Sequence, residues 1–211
     1  MNDAVDTAGP EAPTDRALVP RLVRLDQDTA EVALLRTAVS RHRLAPGQSR
    51  FTGLPVATLP AADADPARVP FAIVLGPVGD AADARAAAVG FGVLDRALRT
   101  RDMVAEPQRA VLLRAYYVTP QWQGRGLGRA SCSAPLLDRL VTEIAPHADR
   151  VVLCVNVGNH VALRVYEAAG YTATGRVISG DAGPQHVMSR PLSTGAHPAP
   201  LPRHERTENT L

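Results

Sequence analysis

The segment that most constrains the fold is a predicted strand that leads through a short turn into a glycine-rich helix start. Val111–Val118 is rich in β-branched and aromatic residues, and Pro120 ends this run. Gly124, Gly126 and Gly128 then occupy every second position. Without a Cβ, the backbone N–H groups of such a loop can approach a ligand closely, and the first N–H groups of a helix have no partner within the helix. The pattern therefore predicts a binding site for an anion, most often a phosphate.

Two common phosphate-binding loops do not fit these residues. The dinucleotide fingerprint G-x-G-x-x-G would need its third glycine at position 129, which is Arg129. It also needs an acidic residue that binds a ribose after the next strand, and the next predicted strand ends in Asn156. The nucleoside-triphosphate loop needs a lysine, and this chain has none, because all 23 of its Lys and Arg residues are arginines. The pattern that remains is Q-x-x-G-x-G, from Gln123 to Gly128, directly after a strand.

A second motif follows the next predicted strand. It reads N-x-x-A-x-x-x-Y-E-x-x-G-Y from Asn159 to Tyr171. Together with the pattern from Gln123 to Gly128, it resembles the two cofactor-binding segments of the GNAT superfamily of N-acetyltransferases. Two motifs in the family's order are more specific than either one alone. With the preceding strands, the resemblance covers residues 20–192.

The resemblance implies an α/β fold of the acyl-CoA N-acyltransferase type, with a mixed, mostly antiparallel sheet flanked by helices on both faces. It also implies acetyl-CoA as the acyl donor, whose acetyl group passes directly to an amine in a ternary complex. Tyr166 is expected to act as general acid toward the leaving thiolate. The backbone of Tyr117 and Val118 is expected to pair with the pantetheine arm like an added strand. The other predicted cofactor-binding residues are Gln123, Gly124, Arg125, Gly126, Leu127, Gly128, Arg129 and Asn159.

Hydrophobic periodicity and turn residues predict the remaining elements. We expect a first strand at Leu22–Leu25, a helix that starts with a capping box at Asp28 and ends near Leu44, and an irregular loop with a short helix over residues 46–69. Gly76–Asp83 is interpreted as a loop. The later predicted strands are Phe71–Leu75, Ala86–Leu94, Arg150–Asn156, Tyr171–Ile178 and His186–Leu192, with a helix at Asn159–Ala169.

The helix after the glycine loop contains a proline, which departs from the family's pattern. The residues expected to face the core at helical spacing are Leu127, Ala130, Ala134, Leu137, Val141 and Ile144. Pro135 has no N–H group and destabilises a helix interior by about 3 kcal/mol. The sequence therefore predicts a kink near Ser131–Ser133.

Length and composition predict one globular domain, residues 20–192, between disordered tails at residues 1–19 and 193–211. The net charge of +2 gives no basis for attraction to nucleic acid or membranes. Cys132 and Cys154 lie in apolar segments, as core thiols of a reducing compartment do. The N-terminus has no signal-peptide pattern, so we predict a cytoplasmic protein. The six histidines show no metal-ligand spacing, so we expect no metal.

The acceptor is left open by the sequence. We expect a small-molecule amine, and antibiotic amines, protein N-termini and lysine side chains are alternatives. Arg41–Gly53, through the pattern A-P-x-Q-x-x-F, faintly resembles bacterial spermine/spermidine-type acetyltransferases. A polyamine should be met by a cluster of carboxylates. The loop carboxylates available for this are Asp63, Asp65, Asp80 and Asp83.

The general base and the oligomeric state are also left open, and a homodimer is compatible with the sequence. The candidates for a base or an acceptor contact are Asp95, Asp102, Glu106, Tyr116 and Tyr117. The alternative function is a non-catalytic acetyl-CoA-binding domain that acts as a sensor or an interaction module.

Overall fold

Seven strands form one sheet in the computed structural model, which describes residues 19–97 and 103–193. The strand order is β1-β2-β3-β4-β5-β7-β6, and every neighbouring pair is antiparallel except the parallel pair β4 and β5. The strands are β1 Arg21–Arg24, β2 Arg68–Val74, β3 Ala88–Asp95, β4 Ala110–Val118, β5 Arg150–Asn156, β6 Thr172–Gly180 and β7 Gly183–Pro191. The predicted mixed, mostly antiparallel sheet is confirmed.

Helices cover both faces of the sheet, as predicted. They are α1 Ala30–Val39, α2 Pro55–Asp63, α3 Ala81–Ala87, α4 Leu127–Cys132, α5 Leu136–Ile144 and α6 His160–Ala168. The first three pack on one face, in a core that includes Leu35 and Phe91. The last three pack on the opposite face, in a core that includes Phe71, Leu137 and Tyr166. The two predicted tails, apart from residues 19 and 193, and the candidate base Asp102 lie outside the described residues.

The first helix begins one residue later than predicted. The cap is Thr29, whose Oγ1 accepts a hydrogen bond from the backbone N–H of Val32 at 3.2 Å, so the prediction of a cap at Asp28 was wrong. The helix ends at Val39 and does not reach Leu44. Asp and Thr are both preferred N-cap residues, with Asp ranked slightly higher, and the sequence offers Asp28 and Thr29 in succession.

Helix α3 was not predicted, because Gly76–Asp83 was interpreted as a loop and Ala86 as the start of a strand. Asp80 caps the start of this helix. Its Oδ1 accepts the N–H groups of Ala82 and Asp83 at 2.8 Å each, which satisfies two donors of the first turn. An aspartate followed by alanines was a sequence signal that could have found the helix.

The predicted kink near Ser131–Ser133 is a complete break between two helices. Ser133 has extended backbone angles, and α5 starts afresh at Leu136, directly after Pro135. Ala134, expected to face the core, is exposed because it lies in this break. The helix start that follows the glycine loop survives as the separate helix α4.

Strands β3 and β4 come unusually close to their neighbours. A Cβ on Gly90 would lie 2.6 Å from the Tyr117 carbonyl oxygen, and one on Gly92 would lie 2.5 Å from the Phe71 ring. The β3–β4 register shifts between Phe91 and Val93, and Ala115 opposite this shift has a φ of 49°. A close approach and a bulge are therefore both present at Gly90 and Gly92.

Candidate active site

The glycine loop presents free backbone donors at the start of α4. Gly124 and Gly126 have φ values of 75° and 78°, which an L-residue rarely adopts. The first hydrogen bond of the helix runs from the Ala130 N–H to the Gly126 carbonyl at 3.0 Å, and the helix has no side-chain cap. The N–H groups of Leu127–Arg129 consequently have no partner within the helix. They can bind an anion.

The space around the loop differs from one glycine to the next. A Cβ placed on Gly124 or Gly126 would meet nothing within 4 Å, so this side of the loop is open to a ligand. A Cβ on Gly128 would lie 3.4 Å from Cγ1 of Val165 on α6. Gly128 therefore lies where α4 packs against α6, and an alanine would fit there with ordinary contacts. The ligand side of the loop is defined by the first two glycines.

The polar side chains of the loop have different surroundings. Arg125 stacks on Trp122, with its Cζ 4.7 Å from the ring centroid. Gln123 donates from Nε2 to the Val118 carbonyl at 2.8 Å. Arg129 lies further along α4 and lines a surface cavity of about 510 Å³ near the helix break. Of these three polar side chains, Arg129 is therefore the one that lies near the helix break.

Strands β4 and β5 separate beside this loop. They pair over Ala110–Leu113 and Arg150–Leu153, and beyond these residues they continue without pairing to each other. We call the gap between residues 114–118 of β4 and residues 154–156 of β5 the wedge. The predicted pantetheine contacts, Tyr117 and Val118, both lie on the β4 side of the wedge. Its backbone edges are of the kind that an extended chain can pair with.

Tyr166 lies on α6, on the face of the sheet that carries α4. The residue is 9% exposed, and its ring centroid is 6.2 Å from that of Tyr116 and 5.8 Å from that of Tyr171. Burial raises the pKa of Tyr166 well above its ordinary value. The hydroxyl therefore keeps its proton at neutral pH and is available as a donor.

Asn159 caps α6 and so has a clear local function. Its Oδ1 accepts from the N–H of Ala162 at 3.2 Å. Asn156 fixes the same turn, because its Oδ1 accepts from the Gly158 N–H at 2.9 Å and its Nδ2 donates to the Ala182 carbonyl at 2.7 Å. The structure thus accounts for Asn159 as a helix cap, and its contact with a cofactor stays a prediction.

The candidate bases are mostly engaged with other groups. Asp95 is buried and accepts from two guanidinium groups, Arg68 at 3.2 Å and Arg114 at 3.3 Å. Glu106 is exposed and forms an ion pair at 3.5 Å with Arg109. Both carboxylates are therefore paired with arginines, and these contacts do not direct either of them toward the wedge as a base.

Tyr117 points to the opposite face from Tyr116 and pairs with a histidine from the chain after α1. His42 Nε2 lies 3.0 Å from the Ala88 carbonyl, which can only accept, so this nitrogen carries the hydrogen. The other ring nitrogen then accepts from the Tyr117 hydroxyl at 2.9 Å. Burial lowers the pKa of His42, which favours this neutral form.

Two groups beside the glycine loop were not predicted as parts of the site. Ser131 was assigned only to the predicted kink, but its hydroxyl lies 2.6 Å from that of Tyr116. Gln48, from a short turn at Gln48–Arg50, exchanges long hydrogen bonds of 3.3 and 3.5 Å with Gln123. Both contacts join residues from separate elements. Gln48 is the glutamine of the A-P-x-Q-x-x-F pattern, but that pattern gives no sign of a contact with Gln123, and no motif marks the contact of Ser131 with Tyr116.

A sequence model of the Acetyltransferase (GNAT) family matches residues 61–171, which is more than half of the chain. The chain belongs to the GNAT acetyltransferase family. The match includes the glycine loop and the helix of Tyr166, so the two motifs that suggested the resemblance lie in the matched region. The protein is accordingly an acyltransferase enzyme of the N-acetyltransferase type.

Solved structures support the GNAT fold. The chain is similar to the aminoglycoside acetyltransferase AAC(6')-Ib in complex with coenzyme A, with a TM-score of 0.53 and 19% identity over 82% of this chain and 94% of that one. The same enzyme in complex with paromomycin and acetyl-CoA gives 0.53 and 18%, over 82% and 93%. A spermidine N-acetyltransferase from Vibrio cholerae, in complex with CoA and spermine, gives 0.51 and 14%, over 82% and 96%. At these identities the likeness concerns the fold.

Curated protein sequences gave no match to this GNAT member. In residues 19–97 and 103–193, no group of three or more His, Cys, Asp or Glu side chains is placed to hold a metal ion. Within the same ranges, no helix combines the length and the apolar character that a membrane crossing requires.

Proposed function

We propose that residues 20–192 form a catalytic domain that transfers acetyl from acetyl-CoA directly to the amine of a small molecule, in a ternary complex. The observation that carries the proposal is that the glycine loop, the wedge and Tyr166 adjoin one another. Tyr116, on the β4 side of the wedge, contacts the Gly128 carbonyl through its hydroxyl at 2.6 Å, and its ring lies beside Tyr166. A thioester arm that starts at the loop and follows the wedge would therefore pass close to Tyr166.

The loop residues fit the pyrophosphate of acetyl-CoA. The N–H groups of Leu127–Arg129, which have no partner within the helix, lie at the helix start, and a Cβ on Gly124 or Gly126 would meet nothing within 4 Å. Because α4 is only six residues long, its dipole is small, and direct hydrogen bonds supply most of the attraction. Arg125 adds a positive charge beside these donors, and its stacking on Trp122 restricts its freedom.

The wedge fits the pantetheine arm, whose amides can pair with strand edges. Val118 is the residue where β4 meets the loop, and its carbonyl already accepts from Gln123. Because a carbonyl oxygen has two lone pairs, this contact leaves one acceptor position. We infer that Gln123 holds the end of β4 in place, so that the edge of Tyr117 and Val118 stays available to the arm.

Tyr166 would act on the leaving group. Acetyl-CoA supplies the acetyl group as a thioester; the neutral amine attacks its carbonyl carbon, the C–S bond breaks and the sulfur leaves as a thiolate. The Tyr166 hydroxyl stays protonated, because its raised pKa lies above the working pH. It can therefore donate a hydrogen bond to the sulfur and pass its proton to the thiolate. The proton that the attacking nitrogen loses goes to water, and the tyrosinate takes up a proton from water again. A positioned general acid contributes typically about 10²–10⁴-fold in rate.

Direct transfer agrees with the state of the two thiols. Cys132 is fully buried, and burial raises its pKa to about 12. Cys154 is half-buried, and burial raises its pKa to about 11. The thiolate, not the thiol, is the nucleophile of an acyl-enzyme route, and both residues are almost wholly protonated at neutral pH.

The loop carboxylates bear on the choice of acceptor. Asp63 pairs with Arg36, and Asp65 lies 3.4 Å from Arg68. The remaining two, Asp80 and Asp83, accept backbone N–H groups at and before the start of α3. A polyamine would have to compete with an arginine at Asp63 and at Asp65, whereas Asp80 and Asp83 each use one oxygen for backbone N–H groups and keep acceptor positions on the other. Because two of the four carboxylates are already paired with arginines, the contacts favour a small amine over a polyamine.

The test is amine-dependent release of coenzyme A by the purified protein, with acetyl-CoA and a panel that includes amino acids, aminoglycosides and spermidine. We expect Tyr166→Phe to reduce kcat by at least about tenfold while the affinity for coenzyme A, measured by calorimetry, changes by less than about threefold. Tyr171→Phe is the matched control, because it removes a hydroxyl from the neighbouring ring. Binding of acetyl-CoA without thiol release for any amine would contradict the proposed reaction.

A further inference from the structure

Tyr116 connects the two parts of the site that the proposed function uses. Its hydroxyl lies 2.6 Å from the Gly128 carbonyl and 2.6 Å from the Ser131 hydroxyl, both on α4. The Ser131 hydroxyl in turn lies 2.6 Å from the Leu127 carbonyl. The two carbonyls can only accept, so two hydroxyl hydrogens are shared among three short contacts. These contacts bind the first turn of α4 to strand β4.

This network matters because α4 is short. The helix ends at Cys132, where Ser133 turns to extended geometry, and Pro135 has no N–H with which to extend the hydrogen bonds. An isolated helix of this length is not stable in water, so tertiary contacts must hold it. The N–H groups that would bind the cofactor phosphates belong to Leu127–Arg129, which is the turn that Tyr116 fastens.

The ring of Tyr116 has a separate contact. Its centroid is 6.2 Å from the ring of Tyr166, with the planes tilted by 46°, which is within the range of favourable aromatic pairs. Tyr171 packs on Tyr166 at 5.8 Å with an interplanar angle of 65°. Tyr166 is thus enclosed between two tyrosines, and the orientation of its hydroxyl depends on both rings.

We propose that Tyr116 is a positioning residue with two separable effects: its hydroxyl fixes the phosphate-binding turn of α4, and its ring fixes the orientation of Tyr166. This inference rests on the proposed function for Tyr166. The two effects predict different kinetic results for two substitutions. Tyr116→Phe removes the hydroxyl and keeps the ring, whereas Tyr116→Leu removes both.

For Tyr116→Phe we expect the affinity for coenzyme A to weaken roughly two- to tenfold, the range that one net hydrogen bond represents, with kcat within about twofold of wild type. For Tyr116→Leu we expect the same loss of affinity together with a drop in kcat of at least about tenfold. Ser131→Ala should reproduce the affinity loss of Tyr116→Phe. The double variant Tyr116→Phe/Ser131→Ala should lose little more than either single one, because the three contacts form one network.

The measurements are calorimetric binding of coenzyme A and saturation kinetics of thiol release, with melting temperatures as a check on folding. Tyr171→Phe is the control for the binding measurement, and its affinity should stay at the wild-type value. Unchanged affinity in Tyr116→Phe, equal kcat in Tyr116→Phe and Tyr116→Leu, or full additivity in the double variant would overturn the proposal. If the wild-type protein binds coenzyme A without acetylating any amine, the proposed function fails, and the binding arm still tests the hydroxyl.

Discussion

The ion pair between Asp138 and Arg190 gives a sharp prediction about stability. Both residues are buried, at 6% and 5% exposure, and Arg190 Nη2 donates to Asp138 Oδ1 at 2.5 Å. Asp138 also accepts the Ser193 N–H at 2.8 Å. Removing one partner of such a pair leaves an uncompensated buried charge and destabilises a protein by about 3–5 kcal/mol. We expect this loss for Asp138→Ala.

For a domain of this size, each kcal/mol corresponds to roughly 2–4 °C in Tm. Asp138→Ala should therefore melt about 6–20 °C below wild type. In urea, it should unfold at a lower midpoint concentration than wild type, with an unchanged m-value. The stability of Asp138→Asn should lie between that of wild type and that of Asp138→Ala, because the amide oxygen can still accept from Arg190 but carries no charge. The assay is urea denaturation at pH 7 followed by circular dichroism.

The matched control is the double variant Asp138→Leu/Arg190→Met, which removes both charges and fills the space with apolar groups. Replacement of a whole buried pair is often neutral or stabilising, so this variant should recover most of the lost stability. A loss below about 1 kcal/mol in Asp138→Ala would refute the reasoning. A double variant as unstable as Asp138→Ala would refute it equally, since packing and not charge would then explain the effect.

Three further predictions follow from local geometry. Burial lowers the pKa of His42 in the folded protein, so the unfolded chain takes up the proton at a higher pH than the folded chain does. The free energy of unfolding should therefore fall as the pH drops from about 6.5 through the pKa of the folded state. His42→Gln should reduce this pH dependence in unfolding measurements. Gly126→Glu should abolish coenzyme A binding, because Gly126 has a φ of 78° and a glutamate would place bulk and negative charge in the open space of the loop. Gly128→Ala should retain binding in calorimetry, because Gly128 has no positive φ and the nearest contact of the new Cβ would be 3.4 Å. If transfer is direct, the double variant Cys132→Ala/Cys154→Ala should keep a turnover within about twofold of wild type. Loss of thiol release by a folded double variant would instead indicate an acyl-enzyme.

The strand, the glycine loop and the following helix start could be predicted from the sequence because their signals are local. Val111–Val118 contains strand-forming residues in succession, and the glycines of the loop fix backbone conformations that few other residues adopt. The same holds for Asn159 as a helix cap. In each of these cases the residues that decide the structure lie within one turn of one another.

The predictions that were wrong concern elements at which local sequence signals compete. Around α3, glycine and proline turn residues precede a capped run of alanines, and the turn signal was given too much weight at Gly76–Asp83. At Pro135 the loss of one N–H and the clash with the preceding turn were expected to bend the helix. The break instead separates α4 from α5 completely.

The network at Tyr116 could not be predicted, because it depends on how separate elements pack. Tyr116 contacts Gly128 and Ser131 through a hydroxyl whose partners lie on another element, and Tyr117 reaches His42 on the opposite face. Two adjacent tyrosines on one strand point to opposite faces, which the pleat explains, but their partners come from packing alone.

The sheet is built from two antiparallel blocks, each made from one continuous stretch of chain. The block β1–β4 and the block β5–β7–β6 are joined through the register of Ala110–Leu113 with Arg150–Leu153. Backbone hydrogen bonds join the two blocks over four residues of each strand, and the core that includes Phe71, Leu153 and Tyr166 joins them through side chains. A molecule that bridges the wedge would add a third connection, along the part of β4 and β5 where the two strands do not pair with each other.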